Sequence, residues 1–475
     1  MEAHKALLLV LNFISVLLFS GIIFGWTALR DILIKEKFYA HLCDDPDATL
    51  VNGPCANQML ALNSAFTIAS AATSLFALPG GMLLDATGPL VTVIVAGIFN
   101  VVSIFGVAMC ESTWRKWHAD LFPIMFVVMG MAGSLIRFCG YSCAFLFPEH
   151  KTLLIAMASV LFDGSCLVFP VVKVLYLLGM SFRLLFGIYT FLSAIVFLLL
   201  PVAWYLNRVE ANRVRAEELE RKKASANSSF GLASLPIHKQ LATLEFAVIL
   251  LFSSFELTHS NLYIGTVNGI NEHIARKADM PDEEAVNVNT IVSFIIPLGF
   301  MAVPAITCSS KRWGPAGALQ VSSLLALGFT AMQLIPVLYL QLVTVCFFAA
   351  FRAFLFSTVP AYNSHYFGVL RMGRMQGFCF VAGGLLNFSQ KPLVAWTVTT
   401  LKGDYTPLLL ISLTCSTLLL LPTTLLRWRE SKRNALRQPL TGGVTLPNGS
   451  STLSTSGSAL MSEEPGVSLE PTQSS

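Results

Sequence analysis

The chain has 475 residues, of which 55% are hydrophobic and only 12% charged, against about 25% charged in typical soluble domains. A mean hydropathy of +0.68 excludes an ordinary soluble enzyme, and a net charge of +4 without a basic stripe excludes a nucleic-acid partner. The length fits about three soluble domains or about twelve membrane helices of roughly 20 apolar residues, and the composition selects the second.

In chain order, apolar runs fall near residues 6–29, 60–84, 88–109, 121–147, 153–178 and 184–206. The first is read as a span, because no small-residue cleavage site followed by a polar mature domain marks it as a removable signal peptide. Residues 207–241 interleave Arg208, Arg213, Arg215, Arg221, Lys222 and Lys223 with Glu210, Glu217, Glu218 and Glu220, which predicts a charged, partly helical linker. Apolar runs resume near 242–269, 287–309, 315–335, 337–366, 375–399 and 406–426. From 427 to 475 the chain turns basic and then rich in Ser, Thr, Gly and Pro, too poor in apolar residues to offset the entropy of ordering. The expectation is an all-α membrane protein with twelve transmembrane helices in two six-helix halves, 1–206 and 242–426, joined by the linker and followed by a disordered cytoplasmic tail.

Lys and Arg accumulate in loops that stay cytoplasmic. With both ends inside, 18 of the 31 basic residues fall on inner segments and 9 on outer loops, while Arg137, Lys173, Arg352 and Lys391 lie within spans. Both termini are therefore expected in the cytoplasm. The same orientation puts Cys43 and Cys55 in an outer polar loop, where a disulfide persists. Cys139, Cys143, Cys166, Cys346, Cys379 and Cys415 lie in apolar runs and read as small packing residues. The sequons at Asn227 and Asn448 fall inside and that at Asn387 within a span, so none is expected to be glycosylated. There is no CxxC, and His118, His150, His259 and His365 are scattered singly, so neither a metal nor a cofactor is expected. The plasma membrane is the default location, since the cysteine loop implies passage through an oxidising lumen, and the chain is expected to act as a monomer.

Six spans, a charged linker and six more spans resemble the layout of the major facilitator superfamily, whose halves are parallel repeats around a midplane site. Three echoes occur in the same order in both halves: Gly25 and Gly265 in spans 1 and 7, Gly88-Pro89 and Gly314-Pro315 after spans 2 and 8, and Arg137 and Arg352 in spans 4 and 10. The stretch Gly80-Gly81-Met82-Leu83-Leu84-Asp85-Ala86-Thr87-Gly88 resembles the superfamily's G-x-x-x-D-x-x-G gating signature. That resemblance implies glycines for close helix packing, Gly81 and Gly88 among them, and an Asp85 that exchanges hydrogen bonds with a neighbouring helix N-terminus. Pro89 and Leu90 stand where basic residues usually follow, and a plain tight turn is the alternative reading.

Phe24-Gly25-Trp26, Leu42-Cys43 with Cys55, Leu161-Phe162-Asp163-Gly164-Ser165 with Lys173-Val174-Leu175-Tyr176, and Tyr263-Ile264-Gly265-Thr266-Val267-Asn268 resemble one solute-carrier branch. It holds facilitative large-neutral-amino-acid transporters and an equilibrative purine-nucleobase transporter. The resemblance implies sodium-independent, facilitative movement of a small polar organic solute.

An ionisable side chain inside a membrane is costly unless paired or wetted, so each marks a candidate pathway. Glu256, His259, Ser260 and Tyr263 recur at i, i+3, i+4 and i+7 and make one polar stripe on span 7. It is either a packing seam or a solute site in which Glu256 holds an ammonium or a proton and His259 responds to pH. Arg137 and Arg352 offer forked donors for a carboxylate, or are tied permanently to Asp163 or Glu256, and Asp163, beside Gly164 and Ser165, is the alternative to Glu256 for holding a solute ammonium. Lys173 and Lys391 are expected to snorkel outward. Trp26 is a stacking surface or an interfacial anchor, and Gln390 and Asn363 are hydrogen-bonding candidates. A neutral-amino-acid carrier uses this whole set. A nucleobase carrier ranks second and a proton-coupled monocarboxylate carrier third, while no nucleophile–base pair or phosphate loop suggests an enzyme.

Overall fold

Where the first apolar run reaches Gly21 and Gly25, the helix cannot continue unbroken. The run becomes α1 (Glu2–Phe19), a 3-10 turn (Ile22–Gly25) and α2 (Trp26–Lys35). The fifth run breaks in the same way, into α7 (Lys151–Gly164), a 3-10 turn (Ser165–Leu167) and α8 (Val168–Leu177). The two breaks face each other. The Gly21 N–H donates to Ser165 Oγ at 2.7 Å and Cys166 Sγ lies 3.6 Å from the Gly21 carbonyl, so backbone groups freed by one break are satisfied by the other. A Cβ at Gly21 would lie 2.4 Å from the Phe162 carbonyl oxygen, and one at Gly25 2.6 Å from that of Cys166, so only glycine permits this approach.

The other runs of the first half form α3 (Ala56–Leu75) with α4 (Ala77–Thr87), α5 (Pro89–Met109), α6 (His118–Ala144) and α9 (Phe182–Leu206). The linker begins as α10 (Arg208–Ala226), tied back to the N-terminus by an ion pair between Lys5 and Glu210 at 3.2 Å, and ends in the short α11 (Ile237–Leu241). The second half comprises α12 (Leu244–Lys277), α13 (Asp282–Ile295), a 3-10 stretch (Ile296–Ala302), α14 (Val303–Gln333) and α15 (Leu340–Phe367). α16 (Met372–Asn387), α17 (Gln390–Thr399) and α18 (Thr406–Arg437) complete it.

The repeat suggested by Gly88-Pro89 and Gly314-Pro315 is visible in the backbone. Both glycines have positive φ, 83° and 73°, and each is followed by a proline. Gly314 thereby divides α14 into the end of one span and the start of the next. Glu430 sits against it and accepts from the Ala316 N–H at 2.9 Å, capping the second segment.

This computed structural model describes residues 2–44, 54–110, 118–144, 146–147, 151–226, 236–367 and 372–437. Among them, nine helical stretches are long and apolar enough to cross a membrane. One of these, Glu283–Gln333, contains the Gly314 reversal. The expected spans 7 and 11 are absent from the nine for physical reasons: α12 is unusually polar, and α16 and α17 are separated by a break. The expected disordered tail from 427 is corrected for 427–437, which continue α18 as helix; the rest of that tail, the sequons at Asn227 and Asn448 and the Asp85 side chain lie outside the described residues. Asn387 is fully buried. Residues Met1–Ser431 make one compact unit, and Cys43 and Cys55 are joined in a disulfide with their Cα atoms 5.9 Å apart.

Candidate functional site

Two buried arginines enter one aromatic cluster. Arg352 on α15 donates from Nε to Asp163 Oδ1 at 3.0 Å, with Nη1 3.4 Å from Ser260 Oγ, and its guanidinium carbon lies 4.5 Å and 5.0 Å from the ring centres of Phe24 and Phe356. Arg137 on α6 lies over Phe162 at 4.7 Å and Phe380 at 4.5 Å. The rings adjoin one another, with Phe162 and Phe356 centred 5.4 Å apart and Phe356 and Phe380 6.3 Å apart. Of the two sequence alternatives for Arg352, the structure therefore shows the tie to Asp163, made between the two halves of the chain. Arg137 has no hydrogen bond or ion pair among the described residues, and its Nε is buried and unpartnered. Cation–π contacts of about 0.5–2 kcal/mol each offset only part of the cost of burying such a charge. Among the described residues the cluster holds two cations and one anion.

The span 7 stripe faces elsewhere. Glu256 is completely buried, its one ion-pair partner among the described residues is His259 at 3.5 Å, and neither carboxylate oxygen has a hydrogen-bond partner. His259 Nε2 lies 3.2 Å from Thr330 Oγ1 on α14, Nδ1 lies 3.4 Å from Ser416 Oγ on α18, and the ring stacks on Phe329. Tyr263 stacks on Phe348 at 4.0 Å. The expected pairing of Glu256 with an arginine across a solute is thus corrected: this face of α12 turns into the second half's own interior, and only Ser260 reaches Arg352.

The opposite face of α12 makes the contact with the first half. Gly265 packs against Asn63 and Phe66 on α3. Asn268 Nδ2 donates to the Thr27 carbonyl at 2.9 Å and to Asp31 Oδ1 at 3.2 Å, and Glu272 receives both forks of Arg30 at 2.8 Å and 3.2 Å. Lys173 joins this seam, with Nζ 2.6 Å from Asp31 Oδ2 and 2.8 Å from Thr290 Oγ1. Lys173 is only 4% exposed and does not snorkel, because a carboxylate is within reach of its amine; Lys391 is exposed.

Gln390 lies deeper in the seam, donating to the Thr258 carbonyl at 2.9 Å and to Asn387 Oδ1. Asn363 instead bonds Gln376 at 3.0 Å within the second half. Trp26 is buried, stacks on Phe66 at 5.5 Å, and lines a small pocket with Arg30, Met59, Asn63, Gly265, Gly269 and Tyr405 among others. It is no surface anchor. At the gating signature the expected close packing belongs to Gly80, where a Cβ would meet Leu135 at 3.0 Å, whereas a Cβ at Gly81 would meet nothing within 4 Å. Gly88 earns its place through its φ. Sequence reading missed Arg30, Asp31, Asn63, Asn261, Asn268, Glu272 and Asn387; the available signal was a second polar period on span 7, at 261, 265, 268 and 272.

The chain belongs to the Major Facilitator Superfamily, whose family model matches residues 8–421. It is a multi-pass membrane transporter rather than an enzyme. It is 24% identical over 477 aligned positions to equilibrative nucleobase transporter 1 of Bos taurus, covering 86% of this chain and 93% of that protein. To Protein FMP42 of Saccharomyces cerevisiae it is 23% identical over 450 positions, covering 82% and 88%. To large neutral amino acids transporter small subunit 3 of Homo sapiens it is 27% identical over 198 positions, covering 40% and 35%. Among solved structures, the proton:xylose symporter XylE bound to 6-bromo-6-deoxy-D-glucose superposes with a TM-score of 0.59 at 14% identity, over 90% of this chain and 96% of that one, a likeness of fold.

Proposed function

We propose that this protein is a facilitative, sodium-independent carrier of neutral amino acids, working by alternating access between residues 1–206 and 242–426. The observation that carries the reading is Arg137: a buried guanidinium with no hydrogen bond or ion pair among the described residues, beside a pair in which Asp163 is already bonded to Arg352. A solute carboxylate completes the charge count, Phe162, Phe356 and Phe380 offer an apolar wall, and the match to a large-neutral-amino-acid transporter supports this solute class. In the same reading the chain acts as a monomer in the plasma membrane with both ends cytoplasmic, Trp26, Ser260 and Gln390 border the path, and the turn at Gly81, Asp85 and Gly88 takes part in gating.

A nucleobase carrier is the second reading, favoured by the match to the bovine nucleobase transporter over nearly its full length and by the ring of Trp26 in its pocket. Uptake of labelled leucine and labelled adenine into proteoliposomes, each competed with amino acids, nucleobases and monocarboxylates, separates the readings. Leucine uptake competed by large neutral amino acids and weakened about tenfold or more in affinity by Arg137→Gln supports the first; adenine uptake indifferent to Arg137→Gln overturns it. Orientation is tested with epitope tags at Lys222 and Ser454, which should be hidden in intact cells.

A further inference from the structure

Where Gly314 turns the chain from one span into the next, two arginines meet one indole. The guanidinium carbon of Arg312 lies 5.8 Å from the ring centre of Trp313, and that of Arg427, on α18, lies 5.6 Å from it. Gly317 gives the indole its seat, since a Cβ there would fall 2.3 Å from the Trp313 Cβ. Arg427 is held a second time by Gln320, whose Oε1 accepts from its Nη1 at 2.6 Å. Gln320 is neutral, so this bond orients the guanidinium without compensating its charge.

No acid compensates it either. Among the described residues neither Arg312 nor Arg427 makes an ion pair, and the carboxylates at this end of the bundle are engaged elsewhere. Glu430 accepts from the Ala316 N–H at 2.9 Å, and Glu245 pairs with Arg429 at 3.6 Å. Both arginines and the indole are exposed. A guanidinium already aimed by a ring and an amide loses little side-chain freedom when an anion takes its remaining N–H groups.

The position along the chain sets this patch at the edge of the bilayer. The stretches Glu283–Gln333 and Thr406–Lys432 are each apolar enough to cross a membrane; Arg312 stands at the reversal of the first and Arg427 near the end of the second. Deeper in, Leu324, one turn beyond Gln320 on the same face of α14, and Leu421 on α18 are exposed. Fixed cations at headgroup level thus stand above bare apolar surface.

We propose that Arg312, Trp313 and Arg427 form a docking site for an anionic phospholipid. Arg427, aimed by Gln320, gives its free N–H groups to the phosphate, Arg312 adds attraction from the same indole, and the acyl chains lie along Leu324 and Leu421. The leucines make the occupant a lipid, since an inorganic ion gains nothing from them. A lipid held there ties the turn at Gly314 to the end of α18.

The test uses the full-length chain in a neutral detergent, titrated with phosphatidylglycerol or with phosphatidylcholine of the same acyl chains, and counts bound lipid by native mass spectrometry. The micelle has no anionic surface, so general attraction to a charged bilayer does not register. Phosphatidylglycerol should bind about tenfold more tightly than phosphatidylcholine, and Arg427→Gln should remove that preference. Arg208→Gln also takes an exposed guanidinium from an aromatic ring, that of Tyr205 at 3.9 Å, and should leave the preference within about twofold. Equal losses in the two variants, or no preference in the wild-type chain, overturn the site. Inorganic phosphate that raises the melting temperature as much as phosphatidylglycerol does would make this a free-anion site and overturn the lipid. Where Arg427→Gln yields no cooperative melt, Arg312→Gln replaces it, because the Arg312 guanidinium makes no hydrogen bond among the described residues; it must lower the preference several-fold for the site to stand.

Discussion

Arg30 and Glu272, 242 positions apart in the chain, meet in a two-pronged ion pair, Nη1 to Oε1 at 2.8 Å and Nη2 to Oε2 at 3.2 Å. The pair joins α2 to α12 through two N–H···O contacts, the bidentate arrangement in which guanidinium–carboxylate pairs are strongest. Asp31, Lys173, Asn268 and Thr290 extend the contact on either side. If the seam closes one end of the solute path, breaking this pair should open that end. Glu272→Gln, in a chain carrying Val398→Cys at the pocket, is expected to increase labelling by a membrane-impermeant thiol reagent several-fold. Exchange of the two residues, Arg30→Glu with Glu272→Arg, should restore protection, and unchanged labelling in Glu272→Gln would remove the seam from the gating cycle.

The pair of Arg352 and Asp163 differs because both partners are almost wholly buried. Removing one leaves the other uncompensated, at a cost of about 3–5 kcal/mol. Arg352→Gln and Asp163→Asn should each lower the melting temperature and membrane abundance sharply. The double variant should recover much of both, as size-exclusion profiles of the detergent-solubilised protein would show.

Glu256→Gln is expected to leave solute affinity within about twofold, since Glu256 contacts His259 rather than the arginine cluster. The change also relieves a carboxylate whose oxygens lack hydrogen-bond donors, so the melting temperature should hold or rise. A tenfold loss of leucine affinity with normal abundance would instead place Glu256 on the path.

The disulfide closes a segment with a sequence separation of 12, which the chain-entropy model values at roughly 3 kcal/mol. Replacing Cys43 and Cys55 together with Ser should reduce the amount of protein at the cell surface, while uptake per surface molecule changes little. Non-reducing peptide mapping that found two free thiols would contradict the pairing.

Asp404 caps α18, its Oδ1 accepting from the Thr406 N–H at 2.9 Å. The Thr406 donors hold its carboxyl below the usual carboxylate range. A depressed folded value means that the contribution is present above the unfolded pKa of about 4 and is lost as pH falls through the folded value. Asp404→Ala should therefore cost about 1 kcal/mol near neutrality and less in acid. Thermal melts between about pH 3 and pH 7 should show the variant and wild-type curves converging at the acid end.

Composition and the spacing of apolar runs were enough to read a helical membrane protein, because the bilayer fixes how long each element must be, and the resemblance of the layout to a known superfamily supplied the carrier. The disulfide was legible from loop polarity and orientation together. The site was legible only in its charges. Arg137, Asp163 and Arg352 stand out in apolar surroundings, but which anion each cation meets depends on distances between spans that no local period encodes. Span 7 shows this most plainly. Glu256, His259, Ser260 and Tyr263 are polar on one face, and Asn261, Asn268 and Glu272 with Gly265 are polar on the other, so polarity alone could not say which face meets the first half. The glycine was the physical clue, since two backbones approach closely where a side chain is missing. Arg30 and Asp31 were missed because hydropathy ended the first span at residue 29, whereas the helix carries them on to Lys35.

The breaks in spans 1 and 5 are mortised into each other, Gly21 against Ser165 and Gly25 against Cys166. An interrupted helix is commonly treated as a flexible elbow, but here each interruption is braced by the other within the same half of the chain. Bending at either one alone would strand a backbone donor in hydrocarbon. Asp163, two residues before the second break, is therefore carried on a stiff corner, and the arginine it holds across the two halves feels displacement of the entire N-terminal frame rather than the swing of a single rod.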